Sequence, residues 1–444
     1  MTNKPGNIVA AAVIFFYPLF IILAFFSIFQ LPFSSETVTR FITPFEFQGH
    51  ANLSWAFMES TKWDIFRPVY SLSVLLDYKL WGTDSGMYHV TDLLLSWICY
   101  TVCFLLLRRR FGLLTASLAV LLWAAHPAQP LSLYKILGRN DRLVTLFTVT
   151  ALYLYDLYLQ NGKRRFLFYG LTLCSVVLAG LSKDTGIFYS LLLPLWSILA
   201  AKRTLRETIR SDLPLWTGIG TLSALFFLLR AKAGFEITAD SPELCTGMAY
   251  VEGFSRLVRM SLPLKDHLFV PPLATFSIAA AVLAAAVFVR KLPDAIRFGA
   301  AGAAIFIFPF PFFWVQDTFM WGFTMWAALI PASILGAFFI TARNRIVGRL
   351  IAVFTMAVII GLSTAWARRY LEERAKYMTM HGQVADHAVS EIQGNSYPVE
   401  VLMNRFPEWA AEIDSESLEE REKTLFYINE LVRIKTGNPE AALE

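Results

Sequence analysis

The sequence predicts an all-α polytopic membrane protein, and three observations support this class. Of its 444 residues, 56% are hydrophobic and only 16% are charged, whereas soluble globular proteins carry about 25% charged residues. Apolar runs recur along the whole chain, and a membrane-spanning helix needs about 20 mostly apolar residues. The connections between these runs alternate between basic and nearly neutral, as expected when successive loops lie on opposite sides of a bilayer.

About eleven apolar runs are candidate transmembrane helices. The first has no small-residue cleavage site after it, so we expect an anchor rather than a removed signal peptide. The runs cover residues 8–30, 87–107, 112–125, 143–159, 166–181, 186–201, 213–230, 271–289, 298–315, 320–341 and 346–366.

The distribution of Lys and Arg predicts the orientation of these helices. Lys4 and five short connections together hold 17 basic residues against three acidic ones, Glu207, Asp212 and Asp294. Short basic loops stay in the cytoplasm, so the N-terminus is predicted to be cytoplasmic and the C-terminal tail external. That tail holds 9 basic and 15 acidic residues, which excludes nucleic acid as a partner because nucleic acid requires a basic soluble face.

The predicted organisation is a transmembrane domain over residues 1–366 and an external helical tail over residues 367–444. Residues 31–86 form a long first external loop with two amphipathic helices, near 51–60 and 69–81, of the kind that lie in the membrane interface. Residues 231–270 form a second long external loop.

The stretch "HPAQPLSLYKILGRNDRL", from His126 to Leu143, lies between two apolar runs and is unusually rich in charge. Lys135, Arg139 and Arg142 supply many hydrogen-bond donors, and a guanidinium group fits a phosphate with two parallel hydrogen bonds. One hypothesis is therefore an anion site. The other is an ordinary loop that carries an interfacial anchor and a helix cap.

A second polar spot, "LSKDTG", places Lys183 and Asp184 between two spans with almost no loop. Charges this close to hydrocarbon need partners. The two side chains either neutralise each other in a tight turn, or the lysine is directed at an anionic headgroup or a substrate phosphate.

Further polar residues lie at the outer ends of predicted spans. Arg67 precedes a proline, His89 and Asp92 share a helix face because they are three residues apart, and Asp317 is an isolated carboxylate. No HExxH motif, paired CxxC motif, Walker A motif or GxSxG motif is present, so the residues indicate no dedicated metal site, nucleotide site or hydrolase nucleophile.

Four segments resemble those of integral-membrane glycosyltransferases of the GT-C superfamily, in particular the O-mannosyltransferase-like proteins with transmembrane and tetratricopeptide repeats and their bacterial relatives. The segments are "FRPVYSLSVLLDYKLWG", "GMYHVTDLLL", "AAHPAQPLSLYKILGRNDRLVTLF" and "LAGLSKDTGI", and "PFFWVQDTFMWGF" is a weaker match. They occur in the family's order and at the predicted span boundaries. The long repeat array of the family is absent.

This resemblance implies a GT-C-like fold and a sugar donor linked to a polyprenyl phosphate. In such enzymes a first-loop carboxylate takes the proton of the acceptor hydroxyl, while basic loop residues hold the donor phosphate. Family members carry an acidic pair after the first span; here only Glu36 stands there, with Glu46 as the alternative base. The residues implied in substrate binding are Arg67, His89, His126, Lys135, Arg139, Asp141, Lys183, Asp184 and Asp317.

The resemblance leaves two other functions open. A non-catalytic relative would serve as a scaffold or subunit of a larger membrane complex and would use the acidic tail to bind a protein partner. A lipid or solute transporter would need a pair of short, Gly/Pro-broken segments in corresponding halves, and the sequence has none. No cofactor is required by the residues, although a divalent cation could bridge a donor phosphate and a loop carboxylate. The expected partners are the lipid-linked donor and membrane lipids.

Overall fold

The structure is a computed structural model of the chain, and its helices and two very short strands account for nearly all of the residues it describes. These residues are 4–34, 37–58, 66–126, 128–133, 135–160, 164–232, 248, 250–252, 254–255, 271–307, 321–341, 345–391, 396–415 and 418–443.

The N-terminal part contains the first span, the first long loop (residues 31–86) and a long kinked helix. After α1, a 3₁₀ turn covers Phe26–Gln30, and a π-helical turn covers Val38–Ile42 before α2. The helices are α1 (Lys4–Phe25), α2 (Thr43–Phe47), α3 (Leu53–Met58), α4 (Pro68–Trp81) and α5 (Ser85–Ala125).

Helix α5 joins two predicted spans through a kink at Gly112. The backbone angles of Gly112, φ 81° and ψ 167°, lie outside the helical region, in a conformation that is essentially restricted to glycine. At its other end, the Asp84 carboxylate accepts hydrogen bonds from the N–H groups of Gly86 and Met87 and so caps the helix.

The middle part carries the polar stretch and three further apolar segments. A 3₁₀ turn at Ile136–Gly138 precedes α7, and a π-helical turn at Trp196–Ala200 follows α10. The helices are α6 (Ala128–Leu133), α7 (Arg139–Gln160), α8 (Arg165–Ser182), α9 (Thr185–Tyr189), α10 (Leu192–Leu195), α11 (Leu205–Ser211) and α12 (Leu213–Lys232).

The C-terminal part continues from the membrane into the tail. Strands β1 (Ser396–Tyr397) and β2 (Ala442–Leu443) pair in parallel. The helices are α13 (Pro272–Phe288), α14 (Asp294–Ile307), α15 (Trp321–Ala327), α16 (Leu329–Thr341), α17 (Arg345–Glu391), α18 (Val399–Arg405), α19 (Pro407–Ser415) and α20 (Leu418–Thr436).

The prediction of an all-α polytopic membrane protein is confirmed. Among the described residues, five helices are long and apolar enough to cross a membrane, and four shorter apolar helices accompany them. The number of eleven spans stays a prediction. Helix α17 passes from the last apolar run into the tail without a break, so the predicted boundary at residues 366/367 falls inside a helix.

Two hydrophobic cores organise these elements. The larger core contains buried side chains of α1, α5, α7, α14 and α16, among them Trp123 of α5, together with Trp196 of the π-helical turn after α10 and Trp326 of α15. The second core joins the first long loop to the tail, with Phe41, Phe45 and Trp55 packed among residues of α17 and α20. The polar cluster described next lies where α4, α5 and α7 meet.

Candidate functional site

A buried ion-pair network surrounds the start of α7. The guanidinium of Arg139, which is fully buried, pairs with Asp77 of α4 and with Asp92 of α5, each at 2.5 Å. It also donates hydrogen bonds to the backbone carbonyls of Ser73 at 3.1 Å and Tyr88 at 3.2 Å. Burial raises the pKa of Asp77, and the positive charge of Arg139 opposes this rise. Arg139 therefore ties three helices together.

Arg142 and His89 extend this network to the segment before α7. Arg142, also fully buried, lies 2.6 Å from Asp92 and donates to the backbone carbonyl of Ser132. His89 Nδ1 makes a 2.8 Å hydrogen bond with the carbonyl of Leu133. The C-terminal end of α6 is thus held by hydrogen bonds from buried charged and polar side chains, as expected for polar groups that must be satisfied inside a protein.

Lys183 pairs with Asp141, which lies 42 residues before it in the chain. The distance from Lys183 Nζ to Asp141 Oδ1 is 2.5 Å, and both side chains are less than a tenth exposed. Asp141 at the start of α7 faces the lysine at the end of α8, and a pairing of Lys183 with Asp184 stays a prediction. Burial lowers the pKa of Lys183, and the carboxylate of Asp141 acts against this.

Arg67 lies within electrostatic range of the ion pair between Lys183 and Asp141. Its side chain is half-buried, and its Nε is buried with no hydrogen-bond partner among the described residues. Burial lowers the pKa of Arg67, while the charges of Asp184 and Asp141 raise it and that of Arg40 lowers it. Arg67 thus lies within electrostatic range of both Arg40 and Lys183, and these three cations are called the cationic cluster below.

An apolar cavity of about 120 Å³ lies near the cationic cluster. Phe66, next to Arg67 in the chain, packs against Phe226, with ring centroids 5.8 Å apart, and against Leu181 and Ile187. The cavity lies between α8, α9 and α12 and is lined by Val176, Val177, Gly180, Leu181, Ile187, Leu222, Ser223, Leu225 and Phe226. Phe66 thus packs on side chains that line the cavity, and its chain neighbour Arg67 belongs to the cationic cluster.

Of the two candidate bases, the structure describes Glu46, whereas Glu36 lies outside the described residues. Glu46 is exposed on α2, where its carboxylate accepts a hydrogen bond of 2.9 Å from the Tyr78 hydroxyl of α4. Burial, together with this hydrogen bond, raises the pKa of Tyr78 to about 12. Tyr78 therefore remains a proton donor to Glu46 at neutral pH.

The remaining predicted site residues lie at the edge of this region or outside it. His126 is half-buried and accepts a hydrogen bond at Nδ1 from the N–H of Ala128 at 3.1 Å, while Lys135 is half-buried just before the 3₁₀ turn. Asp317 lies outside the described residues. Within the described ranges, no group of three His, Cys, Asp or Glu side chains is arranged to hold a metal ion, so the divalent cation stays a prediction.

Three members of the network were not among the predicted site residues, namely Arg40, Asp77 and Arg142. Asp77 lies in the motif "VLLDYKLWG", and a carboxylate in an otherwise apolar helical run was the signal that could have identified it. Arg142 shares the charged stretch with Arg139. Arg40 lies in a segment without a recognisable motif, and only the packing of the first loop reveals it.

The fold and this site define a polytopic α-helical membrane protein with a cationic cluster near an apolar cavity. No family model matches the sequence. The Protein O-mannosyl-transferase F38B6.6 of Caenorhabditis elegans is 32% identical over 130 residues, which cover 28% of this chain and 17% of that protein. The likeness to membrane O-mannosyltransferases is thereby confirmed, although it extends over a small fraction of the relative's length.

Two crystal structures of ArnT from Cupriavidus metallidurans are also similar to this chain. The apo structure has a TM-score of 0.47 and 14% identity, covering 89% of this chain and 83% of ArnT. The structure bound to undecaprenyl phosphate has a TM-score of 0.49 and 12% identity, covering 100% of this chain and 90% of ArnT.

Proposed function

We propose that this protein is a membrane glycosyltransferase that moves a sugar from a polyprenyl-phosphate-linked donor to an acceptor on the external side. The observation that carries this proposal is the buried Arg67 Nε without a hydrogen-bond partner among the described residues, near an apolar cavity. A buried polar group without a partner is costly, and a phosphate oxygen would satisfy it.

The chemistry of the donor fits both halves of this site. A polyprenyl phosphate combines an anionic headgroup with an apolar chain, and the cationic cluster lies near the apolar cavity. As the sugar leaves, negative charge develops on the phosphate, and fixed cations stabilise charge that develops in a transition state. Arg67 and Lys183 are the side chains of this cluster that we assign to the phosphate.

Arg139 has a different role in this proposal from the one that the motif suggested. Its donors are already directed at Asp77, Asp92 and two backbone carbonyls, so we assign it to holding α7 in place. Through α7 it fixes Asp141, which holds Lys183. Arg139 thus supports the phosphate site without touching the phosphate.

The acceptor hydroxyl needs a general base, and a first-loop carboxylate is the candidate by resemblance. Glu36 is our first choice, and Glu46 is the alternative. The exposed Glu46 carboxylate, with Tyr78 as its hydrogen-bond donor, is open to an external acceptor. We also propose the bacterial inner membrane as the location, with the N-terminus cytoplasmic and the tail periplasmic.

Binding of undecaprenyl phosphate to detergent-purified protein tests the donor site. We expect Arg67→Ala to weaken binding by about tenfold to a hundredfold, because a hydrogen bond to a charged group contributes about 1.5–3 kcal/mol. Arg67→Lys should retain part of the affinity, since it keeps the charge but loses the planar fork. Lys79→Ala, an exposed cation on α4, is the matched control and should bind as the wild type does.

Turnover of polyprenyl-phosphate-linked sugars separates an enzyme from a scaffold. We expect release of the free carrier phosphate by the wild type and its loss in Glu36→Gln or Glu46→Gln, with donor binding retained in both variants. A wild type that binds undecaprenyl phosphate no better than Arg67→Ala, and releases no carrier from a panel of donors, would refute the proposal in favour of a non-catalytic scaffold.

A further inference from the structure

The C-terminal tail packs directly on the helical part of the first long loop, residues 37–47, called the loop helix below. We propose that Glu430 of α20 is a positioning residue that fixes the loop helix relative to the membrane domain. Its importance for catalysis rests on the proposed function, because the loop helix carries Glu46 and begins directly after Glu36. The fixation itself is independent of that function.

Glu430 uses both of its carboxylate oxygens in this contact. Although ionisable, its side chain is only 3% exposed. Oε2 accepts a hydrogen bond from the hydroxyl of Thr43 on the loop helix. Oε1 pairs with Arg433, one helical turn further along α20, at 2.6 Å. The arginine orients the carboxylate, and a hydrogen bond to a charged acceptor is stronger than one between neutral groups.

A second polar contact joins the same two regions. The hydroxyl of Tyr427, on the same face of α20, donates a buried hydrogen bond of 2.5 Å to the backbone carbonyl of Phe33. Phe33 lies just before the loop helix. The tail therefore contacts the first loop with directional hydrogen bonds at two points, on either side of residues 35 and 36.

Apolar packing surrounds these two contacts and links them to the membrane domain. Phe41 and Ile42 of the loop helix belong to one hydrophobic cluster with Ile428 of α20 and with Val384 and Ala388 of α17. Helix α17 begins at Arg345 and contains the last apolar run. Since α17 is continuous, the loop helix is held against a rigid extension of a membrane span.

The apolar contacts and the hydrogen bond from Thr43 to Glu430 restrict the loop helix in different ways. Apolar contacts are non-directional, so the cluster alone allows the loop helix to shift along its axis. The hydrogen bond from Thr43 to Glu430 fixes one axial and rotational position. A loop helix that has lost it would still pack on the tail, but its carboxylates would occupy a broader range of positions.

Hydrogen–deuterium exchange of the detergent-purified full chain tests the fixation, with Thr43→Val and Thr43→Ser as a matched pair. Valine removes the hydroxyl at nearly constant volume, whereas serine keeps it. We expect amides of residues 37–47 to exchange about tenfold faster in Thr43→Val, which corresponds to about 1.4 kcal/mol. Thr43→Ser and the wild type should be alike, and Glu430→Ala should match Thr43→Val.

Control measurements distinguish a local effect from general destabilisation. Exchange in α8, whose main neighbours among the described helices are α4, α7, α9 and α12, should be unchanged in all variants. Lys435→Gln, which breaks the exposed ion pair between Lys435 and Asp386, should leave the loop helix as in the wild type. Equal exchange in Thr43→Val and Thr43→Ser, or an increase spread over the whole chain, would overturn the proposal.

Turnover then shows whether the fixation matters for chemistry. We expect Thr43→Val to lower kcat with little change in KM for the donor, because the cationic cluster is untouched, and Thr43→Ser to restore it. If the wild type has no transferase activity, the proposed function fails while the exchange result still decides the fixation. If the enzyme is active but exchange is unaffected, only the fixation fails.

Discussion

Replacing Arg139 by alanine would leave buried carboxylates without their cation, and the size of this effect follows from the contacts. Asp92 would keep Arg142 at 2.6 Å, but Asp77 would lose its ion-pair partner at 2.5 Å. Removing one partner of a buried ion pair typically costs about 3–5 kcal/mol. Two hydrogen bonds to backbone carbonyls would be lost as well. We therefore expect a destabilisation of at least about 3 kcal/mol.

Thermal unfolding in detergent, followed by the apparent midpoint at a fixed scan rate, measures this effect. Arg67→Ala is the matched comparison, because it removes a half-buried arginine whose Nε bonds to none of the described residues. The unfolding midpoint should fall much further for Arg139→Ala than for Arg67→Ala. Donor binding should be weakened more by Arg67→Ala than by Arg139→Ala. Asp77→Asn combined with Arg139→Met should recover part of the lost stability, since the unpaired charge is then removed.

The reasoning would be refuted by an Arg139→Ala variant that unfolds like the wild type yet no longer binds undecaprenyl phosphate. That result would make Arg139 a phosphate ligand, as the motif suggested, and Asp77 and Asp92 would then be partners that it leaves when the donor binds.

Three further predictions concern other parts of the molecule. Lys183→Met and Asp141→Asn should each lower the unfolding midpoint, and the double variant should lose less than the sum, because contacting residues couple by about 0.5–3 kcal/mol; additivity would mean that the 2.5 Å pair contributes nothing. Gly112→Ala should destabilise the protein by about 1–3 kcal/mol, since alanine disfavours the φ of 81° at the kink. Gly170 lies in regular helix with open space around it, so Gly170→Ala should be neutral or stabilising by the same measurement. Burial lowers the pKa of His381 from its ordinary 6.5 to about 4. Between these two pH values the unfolded state binds more protons than the folded state, so stability decreases as pH falls from about 6.5 to 4. His381→Leu should flatten that part of the curve of unfolding midpoint against pH, and an unchanged slope would contradict the burial of His381.

The sequence predicted the apolar elements well because their signal is local. Hydropathy located the runs that became α1, α7 and α8, and the charged stretch before Leu143 did become part of a polar cluster. The identity of ion-pair partners was not predictable in this way. Lys183 and Asp184 are neighbours in sequence, yet the lysine pairs with Asp141, 42 residues away.

The same limit applies to the candidate site. Asp77 and Arg139 are far apart in the chain, and only the packing of α4 against α5 and α7 brings them together. The tail was predicted as a separate external unit, because the hydropathy changes near residue 366. Helical propensity does not change there, since residues 367–380 contain neither glycine nor proline, and the helix continues. Binding of a protein partner by the tail stays a prediction.

The continuity of α17 has a consequence for how this chain tolerates insertions and deletions. At 1.5 Å per residue, its 47 residues form a rod of about 70 Å, more than twice the roughly 30 Å of a hydrocarbon core. One residue added to a helix advances everything beyond it by about 100°. A single-residue change between the membrane and Val384 would therefore turn the far end of the rod away from the first loop, whereas a change of seven residues, close to two full turns, would nearly restore the angle. We expect lengths in this part of related chains to differ by whole turns.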